Sequence, residues 1–182
     1  MIYRSMRHLR LYEKFQSNAI EAYHRSDADF ESFDLDNTET GLGMNRLGWG
    51  MYFSENKNLN PKYGGILYEV ILDPGKKKWL DEYMTEEETL ELLQALGHPE
   101  EISKIFQGFD RQRGKKLTTD IISHLVLGYF NKSSYGEFGK DFALFLVDNG
   151  YVGRKVKYCE EGEWTCIIVF DTSIIQIVDK TS

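Results

Sequence analysis

The chain has 182 residues and is 41% hydrophobic, enough apolar material for one compact core and too little for two. Eleven tyrosines and eleven phenylalanines exclude a disordered chain. A formal charge of -7 excludes a global positive field that would draw nucleic acid or an anionic membrane.

Ile2, Met6, Leu9, Leu11, Tyr12 and Phe15 recur at intervals of three and four, so an amphipathic helix is expected over residues 1–20. No unbroken apolar run follows its basic residues, so it does not read as a signal peptide. Nothing later approaches the ~20 apolar residues of a membrane helix. No membrane partner is expected, and the expected location is cytoplasmic, in the producing cell or in one to which the protein is delivered. Ala22-Tyr23-His24 reads as a short strand, ended by the polar residues Arg25 to Asp29. From Asp34 to Gly50 neither period is present, and Gly41, Gly43, Gly48 and Gly50 interrupt a long loop of the kind that carries function. Met51 to Ser54 is a second short strand, and Ile66 to Leu72 a third, closed by Asp73-Pro74-Gly75. The short basic runs Lys76 to Lys78 and Arg111, Arg113, Lys115 and Lys116 read as solvated charge.

Thr85 before Glu86, Glu87 and Glu88 is an N-cap with an acidic first turn, opening a helix to Leu96 that Gly97 and Pro99 stop. Glu100 to Phe106, Thr118 to Phe130 and Glu137 to Asn149 continue the helical pattern, with Gly150 as its stop. Tyr151 to Tyr158, Trp164 to Phe170 and Ile174 to Val178 return to strand. Cys159 and Cys166 have no further ligands at a metal-binding spacing, so two free thiols and no metal are expected. Strands, a helical block and strands again make an α+β domain in which distant segments share one sheet.

Four features stand in a telling order: His24-Arg25-Ser26 on the first strand, Gly48-Trp49-Gly50-Met51-Tyr52-Phe53-Ser54 entering the second, Tyr63 eleven positions after Tyr52, and a late strand, Cys166 to Asp171. In this order they resemble the His-Tyr-Glu class of ADP-ribosyltransferases, the class of diphtheria toxin and the poly(ADP-ribose) polymerases, and are similar to small bacterial and phage mono-ADP-ribosyltransferases. The resemblance spans Ala22 to about Leu72 and Gly150 to about Val178. It implies a split, mostly antiparallel β-sheet core, with the N-terminal helix and a helical insert over 85–149 outside the shared elements of a single domain, 1–182.

It also implies NAD as co-substrate and transfer of single ADP-ribose units to a macromolecular acceptor, protein first, with nucleic acid as the other acceptor class. Such a protein would serve as a toxin or effector. The resemblance places the NAD-binding set at Tyr23, His24, Arg25, Ser26, Gly50, Met51, Tyr52, Phe53, Ser54, Asn60 and Tyr63. Nicotinamide is a flat cation, which two tyrosine faces can hold by stacking and cation–π attraction of roughly 0.5–2 kcal/mol per contact. Backbone groups of Arg25 would pin the carboxamide, and His24 would bond the adenine-side ribose. The catalytic set is His24, Tyr52 and an acid that stabilises positive charge growing on the ribose as the glycosidic bond breaks.

Two positions depart from the family. Cys166 stands where the catalytic Glu normally sits, and a thiol there needs a strongly lowered pKa to replace it. Glu160, Glu161 and Glu163 in the preceding turn are the substitutes, with Glu161 or Glu163 favoured. Arg25 stands where Gly is usual. The alternatives to transfer are a silent module that binds NAD or ADP-ribose, and an NAD glycohydrolase with water as acceptor.

Overall fold

The structure is a computed structural model and describes residues 18–38, 48–59, 61–81, 83–95, 97, 115–118, 121, 139–158 and 164–182. Its strands are β1 (Ile20–Ser26), β2 (Met51–Ser54), β3 (Ile66–Leu72), β4 (Lys78–Leu80), β5 (Tyr83–Thr85), β6 (Lys115–Leu117), β7 (Tyr151–Tyr158), β8 (Trp164–Val169) and β9 (Ile175–Thr181), and its helices are α1 (Glu86–Ala95) and α2 (Lys140–Asp148). Seven strands form one sheet in the order β4-β7-β8-β2-β1-β3-β9, while β5 and β6 form a separate pair. Within the large sheet β4 runs parallel to β7 and the other neighbours are antiparallel, so the protein is α+β with a mixed sheet.

The apolar run of β8 is buried on both faces. Cys166, Ile168 and Phe170 join one core cluster with Leu92 and Leu93 of α1 and Phe142, Ala143 and Leu146 of α2. Ile167 and Val169 join a second with Ala22, Phe53, Tyr68, Val70 and Leu72. Side chains alternate between faces along a strand, so an unbroken hydrophobic run marks a strand covered on both sides. The helices thus cover the face that carries Cys166.

The helix ends follow their local chemistry. The Thr85 hydroxyl accepts the Glu88 N–H at 3.2 Å while the Glu88 carboxylate accepts the Thr85 N–H at 2.8 Å, a reciprocal cap. Gly150 ends α2 with its N–H on the Val147 carbonyl and φ at 83°, a left-handed position where glycine costs least. Several elements differ from their expected bounds. Arg25 and Ser26 belong to β1, because pairing with Leu67 and Ile66 of β3 extends a strand whose polar end alone read as a turn. β4, β5 and β6 were not expected; each is three residues long, too short to show a period. β6 lies within the expected helical block, between the helices expected over Glu100 to Phe106 and Thr118 to Phe130, where Lys115 and Lys116 read as solvated charge, and Thr85 is the last residue of β5 as well as a cap. Asn18 and Ala19 are irregular and Ile20 opens β1, while the rest of the expected N-terminal helix lies outside the described residues, as do Glu100 to Phe106 and all of Thr118 to Phe130 but Thr118 and Ile121. Among the described residues no helix is long and apolar enough to cross a membrane.

Candidate functional site

β8, β2 and β1 are neighbours at the centre of the sheet, so the three motif-bearing segments lie side by side. Tyr23 pairs with Ser54, and Ser54 with Cys166. Alternation from that register sets Arg25 on the face of Tyr52, and His24 on the opposite face with Phe53.

His24 is tied to the second motif through the backbone. Its Nδ1 lies 2.7 Å from the Tyr52 carbonyl, which can only accept, so Nδ1 carries the proton and Nε2 is left as an acceptor. Burial holds the imidazole below its ordinary pKa against the opposing effect of that hydrogen bond, so the ring is neutral near pH 7. Phe33 meets the ring edge-on at 5.2 Å and Phe53 lies 5.6 Å away. Phe30 and Tyr68 stack at 4.4 Å to complete the aromatic surround. The Tyr68 hydroxyl donates to the Ala28 carbonyl and accepts the Phe30 N–H, fixing the chain that leaves β1. Phe30, Phe33 and Tyr68 were not among the expected site residues; the Phe-x-x-Phe spacing in a polar stretch was the available signal.

The glycine-led segment is shaped by close packing. Gly50 has φ at 147°, and a Cβ there would meet Ile168 Cγ2 at 2.6 Å and the Val169 carbonyl at 2.8 Å. The residue before Met51 therefore has to be glycine for β2 to lie against β8. The half-buried Tyr52 ring packs against the helix-covered core, and its hydroxyl donates to the Gly48 carbonyl at 2.6 Å. Phe53 and Ser54 are buried, Met51 packs on the His24 side, and Ser54 Oγ accepts the Asn56 N–H. These residues build the strand.

The Tyr63 turn is fastened to the end of β1. Arg25 donates from Nε to the Leu59 carbonyl at 3.0 Å and from Nη1 to the Gly64 carbonyl at 3.2 Å. Asp27 accepts the Gly65 N–H at 2.8 Å. Gly64, with φ at 143°, lies so close that a Cβ would overlap the Ser26 backbone. Tyr63 itself is 48% exposed, in a 3-10 turn spanning Pro61–Tyr63, with the Lys62 ammonium 5.0 Å from its ring centroid. Ser26 Oγ accepts the Ala28 N–H, a local turn bond. On the same strand face Tyr23 donates to Glu21 at 2.5 Å, and its pKa is raised by burial, then by that bond and by the charges of Glu21 and Glu69. Asp27 and Gly64 were missed in the sequence because their roles depend on contact across the strand end.

β8 has a different character. Cys166 is 5% exposed, and burial pushes its thiol up to about 12 against the pull of Arg154, so it is a neutral thiol at physiological pH. Asp171, which ends the same motif, is bonded to Lys77 at 2.5 Å and accepts the Ser173 N–H. Burial raises its pKa, but those hydrogen bonds and the Lys77 charge outweigh this and hold it below the ordinary value. Asn60, Cys159, Glu160, Glu161 and Glu163 lie outside the described residues. Among the described residues no cluster of three or more His, Cys, Asp or Glu could hold a metal ion.

No family model matches the chain and no curated protein is recognisably similar to it. Among solved structures, a crystal structure of an anti-CRISPR protein is similar at a TM-score of 0.40 and 13% identity, covering 88% of this chain and 96% of that one. A likeness that loose carries no weight for fold or function.

Proposed function

We propose that the chain binds NAD⁺, breaks its nicotinamide–ribose bond and transfers ADP-ribose as a single unit to a macromolecular acceptor, protein being the first choice, on a split sheet of the ADP-ribosyltransferase kind. The observation that carries the reading is the adjacency of β8, β2 and β1, which gathers three segments that are far apart in sequence and resemble that family in order and spacing. The fastening of the Tyr63 turn to the β1 end supports it further, because Arg25 leaves the same face as Tyr52.

In this reading Tyr52 and Tyr63 grip the pyridinium, whose positive charge is attracted to their ring faces. The Lys62 ammonium over Tyr63 is an instance of the same attraction. The Arg25 backbone holds the carboxamide, and His24, enclosed by aromatic rings on the opposite face of the sheet, serves the grip by fixing the Tyr52 backbone through Nδ1 rather than by reaching the ribose. When the C–N bond breaks, its electron pair leaves with nicotinamide, which becomes neutral, and the ribose takes the positive charge. An acceptor nucleophile then bonds to that carbon and gives its proton to a carboxylate or to water. Glu161 or Glu163 supplies the negative charge that lowers this barrier. The helical segments, which cover the Cys166 face, select the acceptor.

Incubation with NAD⁺ and cell extract tests this: a mass addition of about 541 Da on an acceptor is expected, and its absence overturns the reading. The neutral Cys166 favours a second reading, a module that binds NAD⁺ or ADP-ribose without turnover. Released nicotinamide rules that out, and free ADP-ribose without a modified acceptor identifies hydrolysis instead.

A further inference from the structure

We infer that Arg25 is a positioning residue that sets the place of the Tyr63 turn relative to Tyr52, so that one strand, β1, fixes both tyrosine-bearing segments. The inference rests on the NAD⁺ reading above and concerns how that grip is held together.

Consecutive residues of β1 reach opposite faces of the sheet. His24 on one face bonds the backbone of Tyr52 itself. Arg25 on the other bonds the carbonyls on either side of the Pro61–Tyr63 turn, Leu59 before it and Gly64 after it. A guanidinium suits this task because its donors sit in a rigid planar fork and two can be aimed at two acceptors at once; an ammonium on a flexible stem has no such geometry. Asp27 takes the next N–H, that of Gly65, and Gly64 is pressed against the Ser26 backbone, so the turn is held at both ends of a short span. Tyr63 is 48% exposed and so draws little of its position from burial, which leaves the hydrogen-bonded frame to set it.

The test compares Arg25→Ala, Arg25→Lys and Tyr63→Ala, singly and as the double variant Arg25→Ala with Tyr63→Ala, using nicotinamide and NAD⁺ as probes. Loss of the two charged hydrogen bonds is expected to weaken nicotinamide binding about tenfold in Arg25→Ala, with Arg25→Lys intermediate. KM for NAD⁺ should rise more than kcat falls, and thermal melting should fall by only a few degrees, leaving the variant folded. In the double variant the effect should be no larger than that of Tyr63→Ala alone, because Arg25 acts through Tyr63. Additive losses, or unchanged binding in Arg25→Ala, overturn the inference. A separate readout is amide hydrogen exchange at Lys62 to Gly65, which should lose protection in Arg25→Ala while β3 keeps it. If the parent protein binds neither probe, the NAD⁺ reading falls and exchange decides the rest: lost protection upholds the staple, and retained protection overturns it.

Discussion

At the end of β1, polar side chains hold backbone: His24 on Tyr52, Arg25 on Leu59 and Gly64, Asp27 on Gly65. Two strands away on β8, Cys166 is a buried, neutral thiol, and Asp171 is engaged with Lys77. The contrast teaches that, in the proposed reading, holding a flat cation and stabilising its reaction fall to different parts of one sheet. The proposed grip would depend on strand register and close glycine packing, both present at β1 and β2. The charge that the proposed reaction needs would then come from Glu161 or Glu163, which precede β8 in the sequence.

The sharpest way to break this comparison is to remove one half at a time. Replacing Glu161 and Glu163 together with Gln is expected to lower turnover about 100-fold or more while NAD⁺ binding, measured by calorimetry, stays within a few-fold. Cys166→Ala should leave turnover intact and cost only about 1 kcal/mol of stability through lost packing. If instead Cys166→Ala abolishes turnover in a folded protein, the division between the halves is wrong. The next largest effect belongs to the grip. Gly50→Val forces a side chain into Ile168 and the Val169 carbonyl at a left-handed φ, and about 3 kcal/mol of destabilisation is expected by denaturant titration. A variant as stable as the parent would mean that β2 need not lie so close to β8.

Much of this frame could be read from the residues alone. Ile66 to Leu72, Tyr151 to Tyr158 and the reciprocal cap at Thr85 and Glu88 are local signals, written in β-branched runs and in the chemistry of one helical turn. β4 could not be read, because Lys78 to Leu80 becomes a strand only by lying beside Tyr151 to Arg154, a partner far along the chain. Of the proposed site, His24 and Tyr52 were singled out by motif order, and their strands lie side by side. The state of Cys166 depends on helices packed over it, and the task of Arg25 on a turn some forty residues away, so neither is visible in the neighbouring sequence.

A smaller effect concerns pH. His24 has its folded pKa lowered by burial from 6.5, so the unfolded chain binds the proton more readily. Its contribution is complete above about pH 6.5 and is lost as pH falls below that value. Stability and nicotinamide affinity of the parent should both decline between pH 7 and 5. His24→Gln, which cannot take the proton, should flatten the stability slope while losing about 1 kcal/mol through the bond to Tyr52. An unchanged slope in that variant would place the titrating group elsewhere.

The smallest expected effect separates structure from chemistry at the end of β8. Asp171 is the carboxylate at the end of the β8 motif, and its lowered pKa reflects bonds to Lys77 and Ser173 that outweigh the cost of burial. A carboxyl depressed in the folded state stabilises the protein above its unfolded value of 3.8, and that contribution fades as pH falls through the folded value. Asp171→Asn should therefore cost about 1 kcal/mol or less at neutral pH, since the Lys77 partner is 45% exposed and screened by solvent. The loss should vanish in strong acid, and turnover should be unaffected because the carboxylate is already engaged by Lys77. A large fall in turnover with stability preserved would locate the missing negative charge at the end of β8 after all, and the two halves of the proposed site would be built alike.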